Sequence, residues 1–253
     1  MKKLLLATFF AATAGFWFAS PATAEYPEGP VQFIVPWPPG DFEDILTRMI
    51  ADEWKNETGM PASVVNRPGG GDGPFPGALE VLDAPADGSV IGSFVIGVPL
   101  VGPLIDIGIE EDSFEPIGIF LTYPFVLASS GDTPYKNLAE LASYAKNNDV
   151  VLGHFGAGIV PTNVLANIGE DRIGKLPNVA TVAEQAGVNN IELWNGLFVK
   201  KGTPQNVKDK IAEIGKKAML GDAAQALMKE TGARVYWQDA EASSSRIVAD
   251  GKK

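Results

Sequence analysis

The stretch that decides the fold is residues 31–54, VQFIVPWPPGDFEDILTRMIADEW. Residues 31–35 are apolar and rich in β-branched side chains, which predicts a short buried strand. The Pro- and Gly-rich residues 36–41, called the first loop below, cannot continue it. Apolar residues then recur at helical spacing over residues 45–54, and Asp41 or Asp44 can cap that helix. The stretch therefore predicts a strand, a loop and a helix in succession.

The same alternation continues along the chain. Residues 63–65 predict a second strand, which runs into the loop NRPGGGDGP at residues 66–74. Residues 77–82 predict a short helix, and residues 90–96 a third strand that is closed by a Gly97-Val98-Pro99 loop. This alternation is typical of an α/β fold, and ligands of open parallel sheets bind at the carboxyl ends of the strands. We therefore expect a binding site where these three Gly/Pro loops meet.

Several motifs in order carry a resemblance to a known family. They are YP at 26–27, VPWPPG at 35–40 with Asp44, VNRPGGG at 65–71, DG at 87–88, LPNVATVAEQ at 176–185, WNGLF at 194–198 and GTP at 202–204. None is specific alone, because a Gly-rich loop is weak evidence by itself. Together they cover nearly the whole chain after residue 24. In this order the chain resembles the periplasmic receptors of tripartite tricarboxylate transporters, the Bug family.

This resemblance implies an α/β fold of the periplasmic-binding-protein type, a two-domain clamshell. Such a receptor binds a small organic carboxylate in its cleft and delivers it to a membrane permease, without catalysis or cofactor, and we expect it to act as a monomer. The first loop and a Gly-rich loop of the second domain would face each other across the cleft. The residues expected to bind the ligand are Trp37, Pro38, Pro39, Gly40, Asp41, Asp44, Asn66, Arg67, Gly97, Gly153, His154, Phe155 and Gly156.

Composition excludes several other classes. The chain has 20 Lys+Arg against 31 Asp+Glu, a net charge of -11, which disfavours nucleic acid and anionic membrane surfaces as partners. It has no Cys and a single His, so the sequence offers no thiolate metal site, catalytic thiol or lipoprotein anchor. We expect no metal site and no enzyme. A carboxylate held by backbone N–H groups stays compatible with an acidic protein.

The N-terminus predicts export. Lys2 and Lys3 precede an apolar run at residues 4–18, and Ala22-Thr23-Ala24 has the small-x-small pattern of a signal peptidase site. We expect a signal peptide, residues 1–24, cleaved after Ala24, and a periplasmic mature protein. A membrane anchor is the weaker alternative, because the run is shorter than the ~20 residues that a bilayer requires.

The first loop departs from the family pattern. Where the family commonly has a second glycine followed by small residues, this chain has Asp41, Phe42, Glu43 and Asp44. Three carboxylates beside an anionic ligand are unfavourable, by about 1 kcal/mol or more per pair at ~4 Å. Three explanations stay open: Asp41 and Glu43 cap the helix or point to solvent, the ligand is less anionic than a di- or tricarboxylate, or a cation is shared. We favour capping and solvent exposure.

A second departure concerns length. After a strand at residues 125–129, a helix at 137–146 and a strand at 150–153, only residues 157–163 precede the next apolar run at 164–168. A parallel crossover needs a dozen or more residues, so roughly fifty residues of the family pattern have no counterpart here. The chain is either a truncated receptor with a crippled second domain, which we favour, or one whose second domain is rearranged around a reduced pocket.

The expected domains follow from these observations. Domain I comprises residues 25–121 and 200–253, and domain II comprises the shortened segment 122–199, with the apparent deletion near 157–163. Among single residues, His154 predicts a loop or pocket position and no catalysis. Arg67 could contact an anion or brace its loop to a helix end. Trp37 and Phe155 could line the cleft or pack in the core.

Overall fold

The computed structural model describes residues 26–69, 73–151, 162–169, 171–188, 192–231 and 233–252. Its strands are β1 (Val31–Val35), β2 (Ala62–Asn66), β3 (Val90–Val95), β4 (Phe114–Tyr123), β5 (Val126–Ser130), β6 (Thr162–Asn167), β7 (Leu193–Lys200) and β8 (Arg234–Asp239). Its helices are α1 (Phe42–Thr58), α2 (Phe75–Asp83), α3 (Gly97–Val101), α4 (Leu138–Ala145), α5 (Val182–Ala186), α6 (Gln205–Leu220), α7 (Asp222–Thr231) and α8 (Ala240–Asp250). A 3-10 turn, Gly102–Leu104, follows α3.

A mixed six-stranded sheet in the order β2-β1-β3-β7-β4-β8 forms the centre of the molecule. Strand β1 pairs in parallel with β2 and β3, whereas β7 lies antiparallel between β3 and β4, and β8 is antiparallel to β4. Consequently β1 to β4 run in one direction. Their carboxyl ends share one edge of the sheet with the amino ends of β7 and β8. This is the edge at which ligands of α/β proteins bind.

Helices cover both faces of the large sheet. On one face, Leu46, Ile50 and Trp54 of α1 pack with Ile211 and Ile214 of α6 against apolar side chains of the strands. On the other face, residues of α2 and α3 pack against a second cluster of buried strand side chains. The three layers explain why β1 and β3 are almost entirely apolar, since strands buried on both faces have few polar positions.

Most elements predicted along residues 31–96 are confirmed. Helix α1 begins after Asp41, whose side chain accepts a hydrogen bond from the Asp44 N–H, and ends at Gly59, which adopts a left-handed φ of 71°. One prediction there is wrong: Gly97-Val98-Pro99 is not a loop but lies in α3. The reason is that proline is tolerated in the first turn of a helix, where its missing N–H would have no partner.

A smaller unit comprises the two-stranded antiparallel sheet of β5 and β6 with α4 and α5. The predicted strand at 125–129 and helix at 137–146 are confirmed as β5 and α4. The side chain of Gln185 in α5 links the elements of this unit. It accepts a hydrogen bond from the Leu138 N–H of α4 at 3.0 Å, and it donates to the carbonyls of Leu165 in β6 at 2.9 Å and of Ala180 at 3.0 Å. Val150 and Val151 lie outside any strand, and Val151 is 94% exposed.

The sheet order bears on the domain boundaries. Strand β7 lies between β3 and β4 in the large sheet, so we propose that the return to domain I begins at Leu193 instead of the expected residue 200. The other boundaries stay a proposal. The signal peptide at 1–24 and most of the segment 157–163 lie outside the described residues.

Candidate functional site

The first loop joins β1 to α1 at the carboxyl edge of the sheet. Gly40 has a φ of +93°, a conformation that side-chain-bearing residues rarely adopt. Asp41 follows as the N-cap of α1, and its Oδ1 accepts from the Asp44 N–H at 2.9 Å. The Gly-Asp pair therefore turns the chain sharply and starts the helix within two residues.

The buried carboxylate of Asp44 holds the first loop in place through hydrogen bonds. It is 2% exposed and accepts from Arg48 Nε at 2.9 Å, Arg48 Nη2 at 2.8 Å, the Gly40 N–H at 2.8 Å and Asn66 Nδ2 at 2.9 Å. Burial alone would raise the pKa of Asp44, but the hydrogen bonds from Arg48, Gly40 and Asn66 outweigh burial and lower it. Asp44 is thus ionised and fully engaged within the protein.

Asn66 and Arg48 complete the support. Asn66 Nδ2 also donates to the Trp37 carbonyl at 2.9 Å, and Asn66 Oδ1 accepts from Arg48 Nη2 at 2.9 Å. The end of β2 is therefore bonded to the beginning of the first loop, at Trp37, and to α1, at Asp44 and Arg48. Sequence reasoning missed Arg48, although its spacing of four residues from Asp44 on one helix was a usable signal.

The first loop has few backbone donors left for a ligand. Pro38 and Pro39 have no N–H, and the Gly40 N–H donates to Asp44. The N–H groups of Glu43 and Asp44 both donate hydrogen bonds to the Asp41 carboxylate. The Asp41 and Phe42 N–H groups have no partner among the residues described. The first loop therefore offers an anionic ligand fewer backbone N–H groups than the sequence suggested.

The three carboxylates of this turn have different surroundings. Asp41 caps the helix as favoured above, and it is half-buried. Burial raises the pKa of Asp41, and nearby Asp44 adds to that rise. For Glu43 the favoured expectation is wrong: it neither caps the helix nor meets solvent, and it is only 3% exposed. Helix periodicity turns this residue toward the sheet.

Glu43 belongs to a buried polar cluster of Glu43, Thr47, Ser93 and Asn195. Thr47 Oγ1 donates to the Glu43 carbonyl at 2.7 Å and lies 2.8 Å from Ser93 Oγ. Burial raises the pKa of Glu43 well above its usual range, Asp41 adds to this, and the approach of Ser93 and Asn195 offsets only part of it. Within the described residues, neither carboxylate oxygen of Glu43 and neither amide atom of Asn195 has a hydrogen bond of good geometry.

Tyr123 borders the buried polar cluster at the end of β4. Burial raises the pKa of its hydroxyl, as do the charges of Glu43 and Asp41. Its ring packs edge-on against Phe125 at a centroid distance of 5.9 Å. Since Phe125 immediately precedes β5, this contact lies on the connection between the large sheet and the smaller unit.

Three other expected site residues lie near the same edge. Arg67 is paired with Glu80 of α2, with Nε 2.5 Å from Oε2, which is the bracing role weighed above. Gly97 is the first residue of α3, and Trp37 is half-buried. Gly153, His154, Phe155 and Gly156 lie outside the described residues.

A cavity of about 840 Å³ lies elsewhere, between β8 and α8. Its two arginines are engaged: Arg234 pairs with Glu192, and Arg246 contacts Glu192 at 3.3 Å and Asp250 at 3.5 Å. Arg246 also donates to Tyr236 at 2.7 Å. Neither arginine of this groove is therefore available to hold a carboxylate.

Two further kinds of feature are missing from the described part of the chain. It contains no group of three or more His, Cys, Asp or Glu residues arranged to hold a metal ion. Among the same residues, no helix combines the length and apolar character needed to cross a bilayer.

The layered sheet and its carboxyl-edge loops define a class, the α/β proteins of the periplasmic-binding-protein type. Comparison finds a partial match to a family: residues 161–253, fewer than half of the chain, match the model of the tripartite tricarboxylate transporter family receptor, TctC. A UPF0065 protein of Pseudomonas sp. strain P51 is 27% identical, over 80% of this chain and 77% of that protein. A UPF0065 protein of Bordetella pertussis is 25% identical, over 99% of this chain and 95% of that protein. The chain is therefore similar in sequence to these two proteins and, over residues 161–253, to the receptor family that its motifs resemble.

Solved structures share the fold. The periplasmic binding protein BugD superposes with a TM-score of 0.75 at 23% identity, over 90% of this chain and 95% of BugD. A Rhodopseudomonas palustris protein solved with adipate has a TM-score of 0.75 at 17% identity, over 90% of this chain and 95% of that protein. MatC from the same organism, solved with malate, has a TM-score of 0.72 at 20% identity, over 83% of this chain and 91% of MatC.

The comparison also shows that this chain is shorter than the Bordetella protein. The alignment to the Bordetella protein runs over 309 positions, whereas this chain has 253 residues, so more than fifty positions have no counterpart here. The shortening inferred from the sequence is therefore confirmed, and the match to the family model begins at residue 161. Its placement near 157–163 remains a proposal.

Proposed function

We propose that the chain is an extracytoplasmic solute receptor that binds a small organic carboxylate and delivers it to a membrane permease of the tripartite tricarboxylate type. The observation that carries this proposal is the first loop, which the Asp44 hydrogen bonds hold open at the carboxyl edge of the sheet. A site fixed before the ligand arrives loses little conformational entropy on binding. The adipate and malate bound by two relatives by fold support the ligand class.

The polar groups near this loop suit a small ligand. The N–H groups of Asp41 and Phe42, which have no partner among the described residues, lie at the start of α1, where the helix dipole favours an anion. Trp37 and the half-buried Tyr123 supply apolar walls. The expected ligand set remains Trp37 to Asp41 with Gly97 and with residues 153–156, which lie outside the described residues. Asp44, Asn66 and Arg67 act by holding the loops, because their polar groups already have protein partners.

Closure of two lobes is the proposed mechanism. The connection after Tyr123 and the return before Leu193 are the two places where the chain passes between the large sheet and the smaller unit. Hinge motion at these points would bring the smaller unit toward the first loop and exclude water from the ligand. The closed form would then present a surface to the permease. No covalent step is involved, and we propose a periplasmic location and no enzymatic activity.

A thermal-shift panel of organic acids tests the binding step. A ligand present at 100 times its dissociation constant adds about 2.7 kcal/mol to the free energy of unfolding. We expect at least one carboxylate to raise the melting temperature. For delivery, loss of uptake of that acid in cells lacking the gene, restored by the intact chain, is the expected result.

A truncated or vestigial receptor, with a signalling role or none, is the second candidate. The observation that favours it is the smaller unit, whose β5 side chains are mostly exposed or half-buried and whose described residues contribute to neither core cluster. A neighbouring pair of genes for multi-span membrane proteins favours transport, whereas a neighbouring sensor kinase favours signalling. No shift with any acid would favour the vestigial candidate.

A further inference from the structure

We propose that Lys175 of the smaller unit is a latch that holds the two lobes apart, and that closure on a ligand must break its contact with α7. This inference rests on the proposed receptor function and concerns what regulates its affinity. It starts from a polar contact outside the binding site: Lys175 Nζ donates to the carbonyl of Glu230 in α7. Lys175 lies between β6 and α5 of the smaller unit, whereas α7 packs on the large sheet.

The contact suits a lysine because it lies at the end of a helix. Helix α7 ends at Thr231, so the Glu230 carbonyl is one of the last four of the helix, which have no N–H partner within it. The carboxyl end of a helix also carries a partial negative charge, which attracts an ammonium group. Lys175 and Glu230 are both exposed, so water can replace the contact when it opens. The contact is therefore reversible.

The contact and the first loop lie on opposite sides of the hinge. The chain passes to the smaller unit at the ends of β4 and β7, which are neighbours in the sheet order β2-β1-β3-β7-β4-β8. The first loop follows β1, on one side of this pair of strands. Glu230 shortly precedes β8, which lies on the other side. A smaller unit that pivots at these connections toward the first loop therefore moves away from α7.

The pivot itself is fixed by Arg246 of α8. Its guanidinium donates to Thr122 Oγ1 at 3.3 Å, near the end of β4, and contacts Glu192 at 3.3 Å, immediately before β7. Thr122 is buried and also lies 2.6 Å from the Tyr236 hydroxyl. Both connections are thereby attached to the same helix. Closure is accordingly a rotation about these two points and not a sliding of the smaller unit.

A rotation needs space behind the hinge, and the cavity of about 840 Å³ between β8 and α8 supplies it. This cavity is bordered by Glu192 of the return connection, Met228 of α7 and Arg234 at the start of β8. Close-packed interiors resist displacement, whereas a side chain beside an open cavity can move without a clash. The cavity therefore lies where the back of the hinge must change shape.

The latch regulates affinity through the population of the closed form. A contact made only in the open form stabilises that form, and the apparent dissociation constant of the ligand rises as the closed fraction falls. The net strength of one hydrogen bond corresponds to about a twofold to tenfold change in an equilibrium constant. Removing the latch should therefore tighten binding from a position outside the cleft, whereas damage to the fold would weaken it.

Lys175→Met tests the proposal, because it removes the donor and keeps an unbranched apolar side chain. Lys175→Arg keeps a donor and should behave as the wild type. Lys146→Met, an equal change of charge at the exposed end of α4, is the second control. We expect small-angle X-ray scattering of ligand-free Lys175→Met to give a smaller radius of gyration than either control. Calorimetric titration with malate, adipate and citrate should give a dissociation constant about twofold to tenfold lower for any acid that the wild type binds.

A cross-link tests the opposite direction. The chain has no native Cys, so Lys175→Cys combined with Glu230→Cys can be joined selectively by a short bis-maleimide. The cross-linked protein cannot leave the open form. It should bind the same acids about tenfold or more weakly than the same double variant capped with N-ethylmaleimide.

Two outcomes overturn the proposal. A radius of gyration and affinities that Lys175→Met leaves at their wild-type values would show that the contact does not affect closure. Weaker binding by folded Lys175→Met, or undiminished binding by the cross-linked protein, would assign the contact to the closed form. Absence of binding by every acid to every variant would instead contradict the proposed receptor function, and the scattering comparison would still decide whether the contact holds the lobes apart.

Discussion

Asn66 at the end of β2 donates its side-chain amide to the carboxylate of Asp44 in the first turn of α1, at 2.9 Å. The same amide donates to the Trp37 carbonyl, so a single side chain connects β2, the first loop and α1. Three segments distant in sequence are thereby held at one edge of the sheet. The shape of the loop is set by the protein and does not depend on a ligand.

The Asp44 network predicts a stability loss. Asp44→Ala removes the acceptor for Arg48, Asn66 and the Gly40 N–H, and hydrogen bonds to charged groups contribute about 1.5 to 3 kcal/mol each. We expect urea denaturation to show a loss of roughly 2 to 4 kcal/mol, since the partners regain water in part. Asp52→Ala, an exposed carboxylate of the same helix, is the control, with an expected change of at most about 0.5 kcal/mol. Equal effects would show that the network contributes nothing.

The raised pKa of Glu43 predicts a dependence of stability on pH. The folded state holds the proton more tightly than the unfolded chain, in which the pKa of this carboxyl lies near its ordinary value of 4.5. The stability that this proton confers is present below that value and is lost as pH rises through the higher folded pKa. Glu43→Gln cannot ionise and keeps it. We therefore expect the melting temperature of Glu43→Gln to exceed that of the wild type increasingly as pH rises above about 5, until the pH passes the raised folded pKa of Glu43.

Asp41 is present in both proteins, and the hydroxyl of Tyr123, whose pKa burial raises above its ordinary value of 10.0, stays protonated in this range, so the difference between the melting curves reports on Glu43. A constant difference across this pH range would show that the carboxyl of Glu43 ionises as it does in water, and that solvent reaches it in the folded protein.

We predict that replacing Gly40 abolishes ligand binding, and that its loss of stability does not account for this effect. Its φ of +93° strains any other residue, although a Cβ at this position would meet no atom within 4 Å. Gly202 has a φ of +89° and the same open surroundings, but lies between β7 and α6. We expect Gly40→Val and Gly202→Val to lower stability similarly, by about 1 to 3 kcal/mol. Only Gly40→Val should abolish ligand binding; unchanged affinity would remove the first loop from the site.

The smaller unit predicts uneven protection of backbone amides. Its described residues bury few side chains, and β5 and β6 form a sheet of two strands only. Two-stranded sheets are marginally stable alone, so local opening should be frequent. Hydrogen exchange should be faster by several orders of magnitude in β5 than in β1 and β3. Equal protection in both sheets would show that the shortened unit is as stable as the large one.

Much of this fold could be predicted because local signals and the tertiary structure agree. The cap at Asp41, the left-handed Gly59 and the apolar stripe between them set the bounds of α1 in sequence and in structure alike. The strands at residues 31–35 and 90–95 are mostly apolar, with Gln32 and Ser93 as their polar positions, which is close to the pattern of strands buried on both faces. Their parallel pairing follows from the helices between them.

The parts that could not be predicted depend on contacts between distant segments. Glu43 was expected at the surface, because a carboxylate in a first helical turn is ordinarily solvated and near the dipole. Its burial results from the packing of α1 on Ser93 of β3 and Asn195 of β7, both far away in the sequence. The one available signal was Asn195 itself, a polar residue inside an otherwise apolar strand.

Binding of a small carboxylate at this edge of the sheet is tested most directly by calorimetric titration of the protein lacking residues 1–24 with a panel of small organic acids. We predict saturable binding of at least one acid with one site per chain, abolished by Gly40→Val and retained by Gly202→Val. Absence of measurable heat with every acid, from protein that melts cooperatively, would contradict such binding and favour a vestigial receptor.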